Sequence, residues 1–199
     1  MTPFNPPISE HLRFFQAFLR SSSHVGAVAP SSRKLAEKML DWLEWDGMQA
    51  ILEYGPGTGV VTEAIGDRLK PGMQFFAVER DPHLAKITRD RCPGLTIHES
   101  CVTEVPELCR KSGITQVDAI VSGLPWASFP PALQDRVLEA MFEVLPPGGK
   151  FATFAYWQGL LLPGGQRFRQ FLKANFSKVE QSTTTWANLP PAFVYRCER

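Results

Sequence analysis

The chain has 199 residues, 44% hydrophobic and 21% charged, proportions ordinary for one globular domain with a real core. Its net charge is only +1, weaker than the basic balance usual in nucleic-acid enzymes, which counts against that class. No apolar run approaches the ~20 residues that span a bilayer, so a soluble or peripheral protein is expected.

The first predicted element is a helix over 9–20, inside SEHLRFFQAFLRS. On an ideal helix Leu12, Phe14, Phe15, Phe18 and Leu19 share a stripe about 160° wide, with Arg13 and Arg20 opposite. Such a face can pack on a core or form a lid. It also suits a membrane interface, where aromatic and aliphatic groups insert and cations meet anionic headgroups. A second helix is expected over 31–45, with Ser31 and Ser32 as N-cap candidates behind Pro30.

An apolar strand at 49–54 ends beside Glu53 and runs through ILEYGPGTGVV into a helix over 59–69. Gly55, Gly57 and Gly59 permit turn conformations and close ligand approach, while the helix start offers free N–H groups to an anion. Two ligands compete for such a loop. The dinucleotide fingerprint G-x-G-x-x-G puts its third glycine where Val60 stands. The pattern present is E-x-G-x-G-x-G, and Glu53 suits an ammonium group better than a pyrophosphate. The next strand, 73–78, closes on Glu79, whose carboxylate could accept both hydroxyls of a ribose. An adenosine joined to a zwitterionic amino acid is S-adenosylmethionine.

Downstream, strands at 95–98, 117–122 and 149–156 alternate with helices at 82–91, 104–111, 131–145 and 165–175, the sign of a wound parallel sheet. Pro71-Gly72, Pro93-Gly94 and Pro146-Pro147-Gly148-Gly149 separate helices from the strands that follow. Strands at 178–186 and 192–197 have only a short connection between them, so an antiparallel hairpin is expected at one end of the sheet. Cys92, Cys101, Cys109 and Cys197 form no C-x-x-C pair and have no histidine cluster nearby. Neither a metal site nor a disulfide framework is expected, and a reducing cytosol is inferred. The late basic excess, Arg167, Arg169, Lys173, Lys178, Arg196 and Arg199 against Glu180 and Glu198, reads as a solvated face or as a headgroup-facing surface.

EYGPGTG with Glu79 resembles the cofactor site of class I S-adenosylmethionine-dependent methyltransferases. HVGAVAPSSRKLAEKM, IVSGLPWASFP and NLPPAFVYR add a resemblance over nearly the whole chain to bacterial phospholipid N-methyltransferases. These convert phosphatidylethanolamine stepwise to phosphatidylcholine and are close to ornithine-lipid N-methyltransferases; their core is similar to that of ribosomal RNA adenine dimethyltransferases. The resemblance implies an α/β Rossmann-like fold with a seven-stranded sheet whose last strand is antiparallel. It implies a region 1–46, with a membrane-binding amphipathic helix and a cofactor-covering lid, before a methyltransferase domain at 47–199. It also implies a cytoplasmic enzyme held on the inner face of the membrane, taken here as a monomer without nucleic acid or metal.

Carried across by motif, Glu53, Gly55, Pro56, Gly57, Thr58 and Gly59 would surround the methionine part of the cofactor and Glu79 the ribose. Arg80, Ser100, Cys101 and Ser122 would border the rest. Glu99-Ser100-Cys101 departs from the Gly-Asp-Ala often found after the third strand, leaving Ser100 as a weaker acceptor for the adenine amino group. Where Asn- or Asp-Pro-Pro-Tyr often stands after the fourth strand, this chain has Gly123-Leu124-Pro125-Trp126, without the side-chain acceptor that a planar base amine uses. An alkyl amine needs only deprotonation, desolvation and in-line placement. Backbone carbonyls from Ser122 to Leu124 would orient it. Trp126 would wall its pocket and favour a cationic ammonium through its ring face, and His24, Tyr156 and Tyr195 are candidates for proton removal or orientation. Phe14, Phe15, Phe18, Leu19, Arg13, Arg20, Tyr195 and Arg196 are the candidate lipid-facing residues. RNA adenine methylation and a non-catalytic membrane module with a relic cofactor fold are the competing readings; intact Gly55, Gly57, Gly59 and Glu79 argue against the relic.

Overall fold

The computed structural model describes residues 33–186, 188 and 190–199. The expected helix over 9–20, with its phenylalanines and arginines, and His24 lie outside the described residues. In chain order the elements are α1 (Arg33–Leu40), β1 (Ala50–Tyr54), α2 (Val60–Gly66), β2 (Gln74–Glu79), α3 (Pro82–Arg91), β3 (Ile97–Glu99) and α4 (Val105–Lys111). There follow β4 (Ala119–Ser122), α5 (Pro131–Val144), β5 (Lys150–Tyr156), α6 (Pro163–Asn175), β6 (Lys178–Gln181) and β7 (Ala192–Glu198). Short 3-10 turns occupy Val102–Glu104, Trp126–Ser128 and Trp157–Leu161.

The seven strands form one sheet in the order β3-β2-β1-β4-β5-β7-β6. Pairs among β1 to β5 are parallel, and β7 runs antiparallel to both β5 and β6. The chain therefore reverses its direction of growth between β1 and β4, and the crevice beyond their C-terminal ends is where an open α/β sheet accepts ligands.

β1 shows why the sheet is covered on both faces. Its side chains alternate: Ala50, Leu52 and Tyr54 enter a core with Val105, Leu138, Met141 and Phe168, while Ile51 enters a second with Leu35, Met39, Val61 and Ile65. Helices α4, α5 and α6 thus bury one face and α1 and α2 the other. By the same alternation Glu53 points into the second layer, a carboxylate 1% exposed among apolar side chains.

Two elements end five residues earlier than their sequence pattern suggests. α1 stops at Leu40 rather than 45, because the indoles of Trp42 and Trp45 fold back and donate to the carbonyls of Met39 (3.0 Å) and Leu40 (3.4 Å), satisfying carbonyls that further helix would have used. β6 stops at Gln181 rather than 186; beyond it Ser182 N still reaches the Val194 carbonyl and Thr185 bridges Ala192, so this stretch follows β7 without a continuous ladder.

Candidate active site

The loop after β1 is set by backbone geometry. Gly55 (φ 67°) and Gly57 (φ 62°) sit in the left-handed region that favours glycine. A side chain on Gly57 would meet nothing within 4 Å, so that part of the backbone is open to a ligand. Gly59 serves packing instead: its Cβ would lie 3.2 Å from Thr88 and Arg91 on α3. From behind, Thr88 Oγ1 donates to the Gly57 carbonyl (2.9 Å) and Arg91 to the Thr58 carbonyl (2.9 Å), while the Pro56 carbonyl accepts from Gly59 N (3.0 Å). Pro56, Thr58 and Gly59 thus shape the loop, and Gly55 and Gly57 border the cleft.

Glu79 ends β2 with its carboxylate facing that cleft. It accepts from Gly57 N (3.2 Å) and Asp81 N (2.9 Å), joining the two loops. Burial raises its pKa, partly offset by these N–H groups. Asp81 caps α3 by accepting from His83 N (2.9 Å) and Leu84 N (3.3 Å). Glu53 lies behind the glycine turn. Its Oε2 is buried without a hydrogen-bond partner, and burial lifts the carboxyl to about 8, with the nearby Thr62 hydroxyl opposing and the Glu79 charge adding to the rise. A buried acid left this unsatisfied is a costly choice for stability alone, and an ammonium group is what would relieve it.

Arg80, Ser100 and Cys101 border the cleft as their motif positions suggested. The Ser100 hydroxyl donates to Glu104, so only its lone pairs remain for an adenine amino group. Val102, Phe129, Leu133 and Val137 also line the cleft and give it an apolar floor suited to a base. Nothing in their spacing marked them, since they read as ordinary helix-face residues. Asp81-Pro82 did carry a signal, an N-cap followed by proline.

The loop after β4 corrects several expectations. Gly123 is required by space: a Cβ there would lie 2.5 Å from the Gly55 carbonyl oxygen, and Gly123 N donates to the Tyr54 carbonyl (2.7 Å). Ser122 is fully buried. Its hydroxyl accepts from Leu124 N (3.2 Å) and Trp126 Nε1 (3.2 Å), and its carbonyl accepts from Thr153 (3.0 Å), so it holds the turn and does not border the cleft. Trp126 is 3% exposed, stacked on Phe168 with centroids 4.5 Å apart and met edge-on by Phe151. One ring face is thereby covered, and the indole both supports the loop from the core and lines the second cavity, as its expected place in the acceptor pocket requires. Gln134, which sequence reading missed, donates to the carbonyls of Trp126 (2.6 Å) and Gly164 (3.0 Å) and fastens this loop to the start of α6.

Leu124 and Pro125 line the cofactor-side cleft and also a second cavity of about 390 Å³, within the range of small-molecule sites. That cavity is walled by Trp126, Phe154, Ala155, Leu160, Leu162, Phe168 and Pro190, with Tyr156 and Tyr195 as its phenols. Burial pushes Tyr156 up to about 12 and raises Tyr195, so neither phenol is a proton acceptor near neutral pH. Arg196, a lipid-facing candidate, points elsewhere: it donates to the Lys38 carbonyl (2.8 Å) at the end of α1.

Strand order, glycine turn and paired acids define a class I methyltransferase architecture. The comparisons agree. The sequence pattern of the ribosomal RNA adenine dimethylase family matches residues 13–100. An ornithine lipid N-methyltransferase from Singulisphaera acidiphila is 30% identical over 187 residues, covering 92% of this chain and 93% of that protein. A probable ribosomal RNA small subunit methyltransferase A from Thermococcus onnurineus is 30% identical over 108 residues, 54% of this chain and 37% of its own length. Among solved structures, an O-methyltransferase from Bacillus cereus in complex with SAH shares the fold at a TM-score of 0.68 and 14% identity, covering 100% of this chain and 93% of that one. The chain belongs to the class I S-adenosylmethionine-dependent methyltransferases. Its cofactor is S-adenosylmethionine, and the open backbone at Gly57 and the Glu79 carboxylate, both on the cleft, fit that molecule's amino-acid and ribose groups, whereas Glu53 is buried behind the turn and does not border the cleft.

Proposed function

We propose that the protein N-methylates an amino-lipid headgroup, with ornithine lipid a better candidate acceptor than phosphatidylethanolamine. The observation that carries this reading is the apolar cavity meeting the cofactor cleft at Leu124 and Pro125, a juxtaposition suited to an acceptor with a long apolar part. The relative matching over most of both chains supports ornithine lipid as the acceptor. The glycine at 123, with no room for a side-chain acceptor, counts against a planar RNA base.

When bound, the cofactor supplies an electrophilic methyl: the amine nitrogen forms the new C–N bond, the C–S bond breaks with its pair kept by sulfur, and the amine proton leaves to water. The chain's own part is positioning. Ser122, Thr153 and Gln134 hold the loop after β4 so that Leu124 and Pro125 separate the cleft from the cavity by a single turn. An apolar lining disfavours ammonium and so favours the neutral, nucleophilic amine. Tyr156 and Tyr195 stay neutral and orient by hydrogen bonding. Among the described residues no helix is long and apolar enough to cross a membrane; peripheral attachment as a monomer at the inner face, through the amphipathic pattern of Phe14 to Arg20, completes the reading.

Labelled S-adenosylmethionine offered with ornithine lipid, phosphatidylethanolamine, its mono- and dimethylated forms and ribosomal RNA in separate reactions tests it. Label is expected in ornithine lipid first. Label in RNA with all lipids blank would overturn the proposal.

A further inference from the structure

Three large apolar side chains stand out of the surface: Leu161 is 79% exposed, Trp186 76% and Trp157 46%. They come from two segments far apart in sequence, the turn Trp157–Leu161 after β5 and the loop between β6 and β7. Trp157 Nε1 donates to Thr184 Oγ1 (3.1 Å), joining the two, and its ring lies 4.8 Å from Phe193. Both segments also build the mouth of the 390 Å³ cavity: Gln158, Gly159, Leu160 and Leu162 line it from one side and Pro190 from the other. The exposed groups therefore belong to the two segments that line the acceptor cavity, and we take them as its outer rim.

The rim is uncharged: neither 157–162 nor 182–191 contains an ionisable residue. Of the cations on the neighbouring elements, Arg167 pairs with Asp135, while Lys150 and Lys178 pair with Glu44 and Glu180 at the far end of the sheet. On α6, exposed Arg169 and Lys173 make no ion pair among the described residues, and the Arg169 charge is felt at Tyr195 inside the cavity. Tryptophan and leucine at an uncharged edge, with free cations behind them, match the interfacial layer of an anionic bilayer. The rim is also firm. A Cβ on Gly165 would lie 2.0 Å from the Gly159 carbonyl oxygen and one on Gly164 2.5 Å from that of Ala127, so the turn sits backbone to backbone against the start of α6.

We propose that Trp157, Leu161 and Trp186 form a second bilayer-contacting surface, separate from the N-terminal segment, that seats the mouth of the acceptor cavity on the membrane so that a lipid enters without crossing water. This rests on the amino-lipid reading above. Leu161→Ser and Trp186→Ser, singly and together in the full chain, test it by co-sedimentation with vesicles of phosphatidylglycerol and phosphatidylcholine that contain no amino-lipid. The double variant is expected to lose at least tenfold in partitioning while its melting temperature and S-adenosylmethionine affinity hold. Partitioning within twofold of the parent, or a parent that does not bind anionic vesicles, overturns the proposal. So does a parent that sediments as a dimer which the variants dissociate, for then a second copy covers the rim. The vesicles lack substrate, so this outcome is independent of which acceptor is methylated.

Discussion

Replacing Gly123 with alanine adds one methyl at the tightest point between the two loops. Its Cβ would stand 2.5 Å from the Gly55 carbonyl oxygen, about 0.8 Å inside an ordinary carbon–oxygen contact. Neither side can yield freely, since Gly123 N is bound to Tyr54 O at 2.7 Å and Gly55 N to Val78 O at 2.9 Å. Overpacking of this kind costs ~1–3 kcal/mol, and at roughly 2–4 °C per kcal/mol for a chain of this size a melting temperature lower by about 2–12 °C is expected. The displaced loop borders the cofactor cleft, so S-adenosylmethionine should bind about tenfold more weakly, equivalent to ~1.4 kcal/mol. Thermal melting and titration calorimetry measure both. Gly123→Asn, which restores the side-chain acceptor of base-methylating relatives, should fare worse and gain no activity on RNA. A Gly123→Ala protein with parental melting and affinity within twofold would refute the steric argument.

Glu53 makes stability pH-dependent. Burial raises its carboxyl from 4.5 to about 8, so between those values the folded protein holds a proton that the unfolded chain releases, and stability falls as pH rises through the window. Glu53→Gln should flatten that part of a urea-unfolding series on the cofactor-free protein; a parent with no decline would show the acid to be already ionised. Glu79→Ala removes the acceptor for Gly57 N and Asp81 N and the expected ribose partner. Calorimetry should find cofactor affinity lowered at least a hundredfold, with Glu79→Gln intermediate, and near-parental binding would place the ribose elsewhere. Gln134→Leu leaves the Trp126 and Gly164 carbonyls without their donor, a loss of ~1–3 kcal/mol by chemical denaturation. Methyl transfer should slow while cofactor affinity holds, and an equal loss of both would show Gln134 to be merely structural.

Much of the architecture is written in local pattern. The alternation in β1, the Pro-Gly breaks before β2, β3 and β5, and the Asp81-Pro82 helix start each express a rule acting over a few residues, and the elements fall within a few positions of where those rules put them. Where they do not, a contact from outside the pattern decided it, as when Trp42 and Trp45 end α1. The site divides the same way. Gly55, Gly57 and Glu79 were legible because a glycine turn and a strand-ending acid carry their meaning locally. Ser122 and Arg196 were assigned roles at the cleft and the lipid surface that their packing gives to other purposes, because burial and partners depend on chain segments remote in sequence.

By itself the sequence determined the donor and the succession of strands and helices along the chain, since periodicity, turn chemistry and the E-x-G-x-G-x-G spacing act within one stretch of chain; the order of the strands within the sheet belongs to the tertiary structure. Only the tertiary structure decided that position 123 has no room for a side chain, that Leu124 and Pro125 divide two cavities, and that two distant loops meet as an apolar rim. Those depend on which atoms of separate segments touch, and close packing lets a single carbonyl oxygen settle what a residue is able to be.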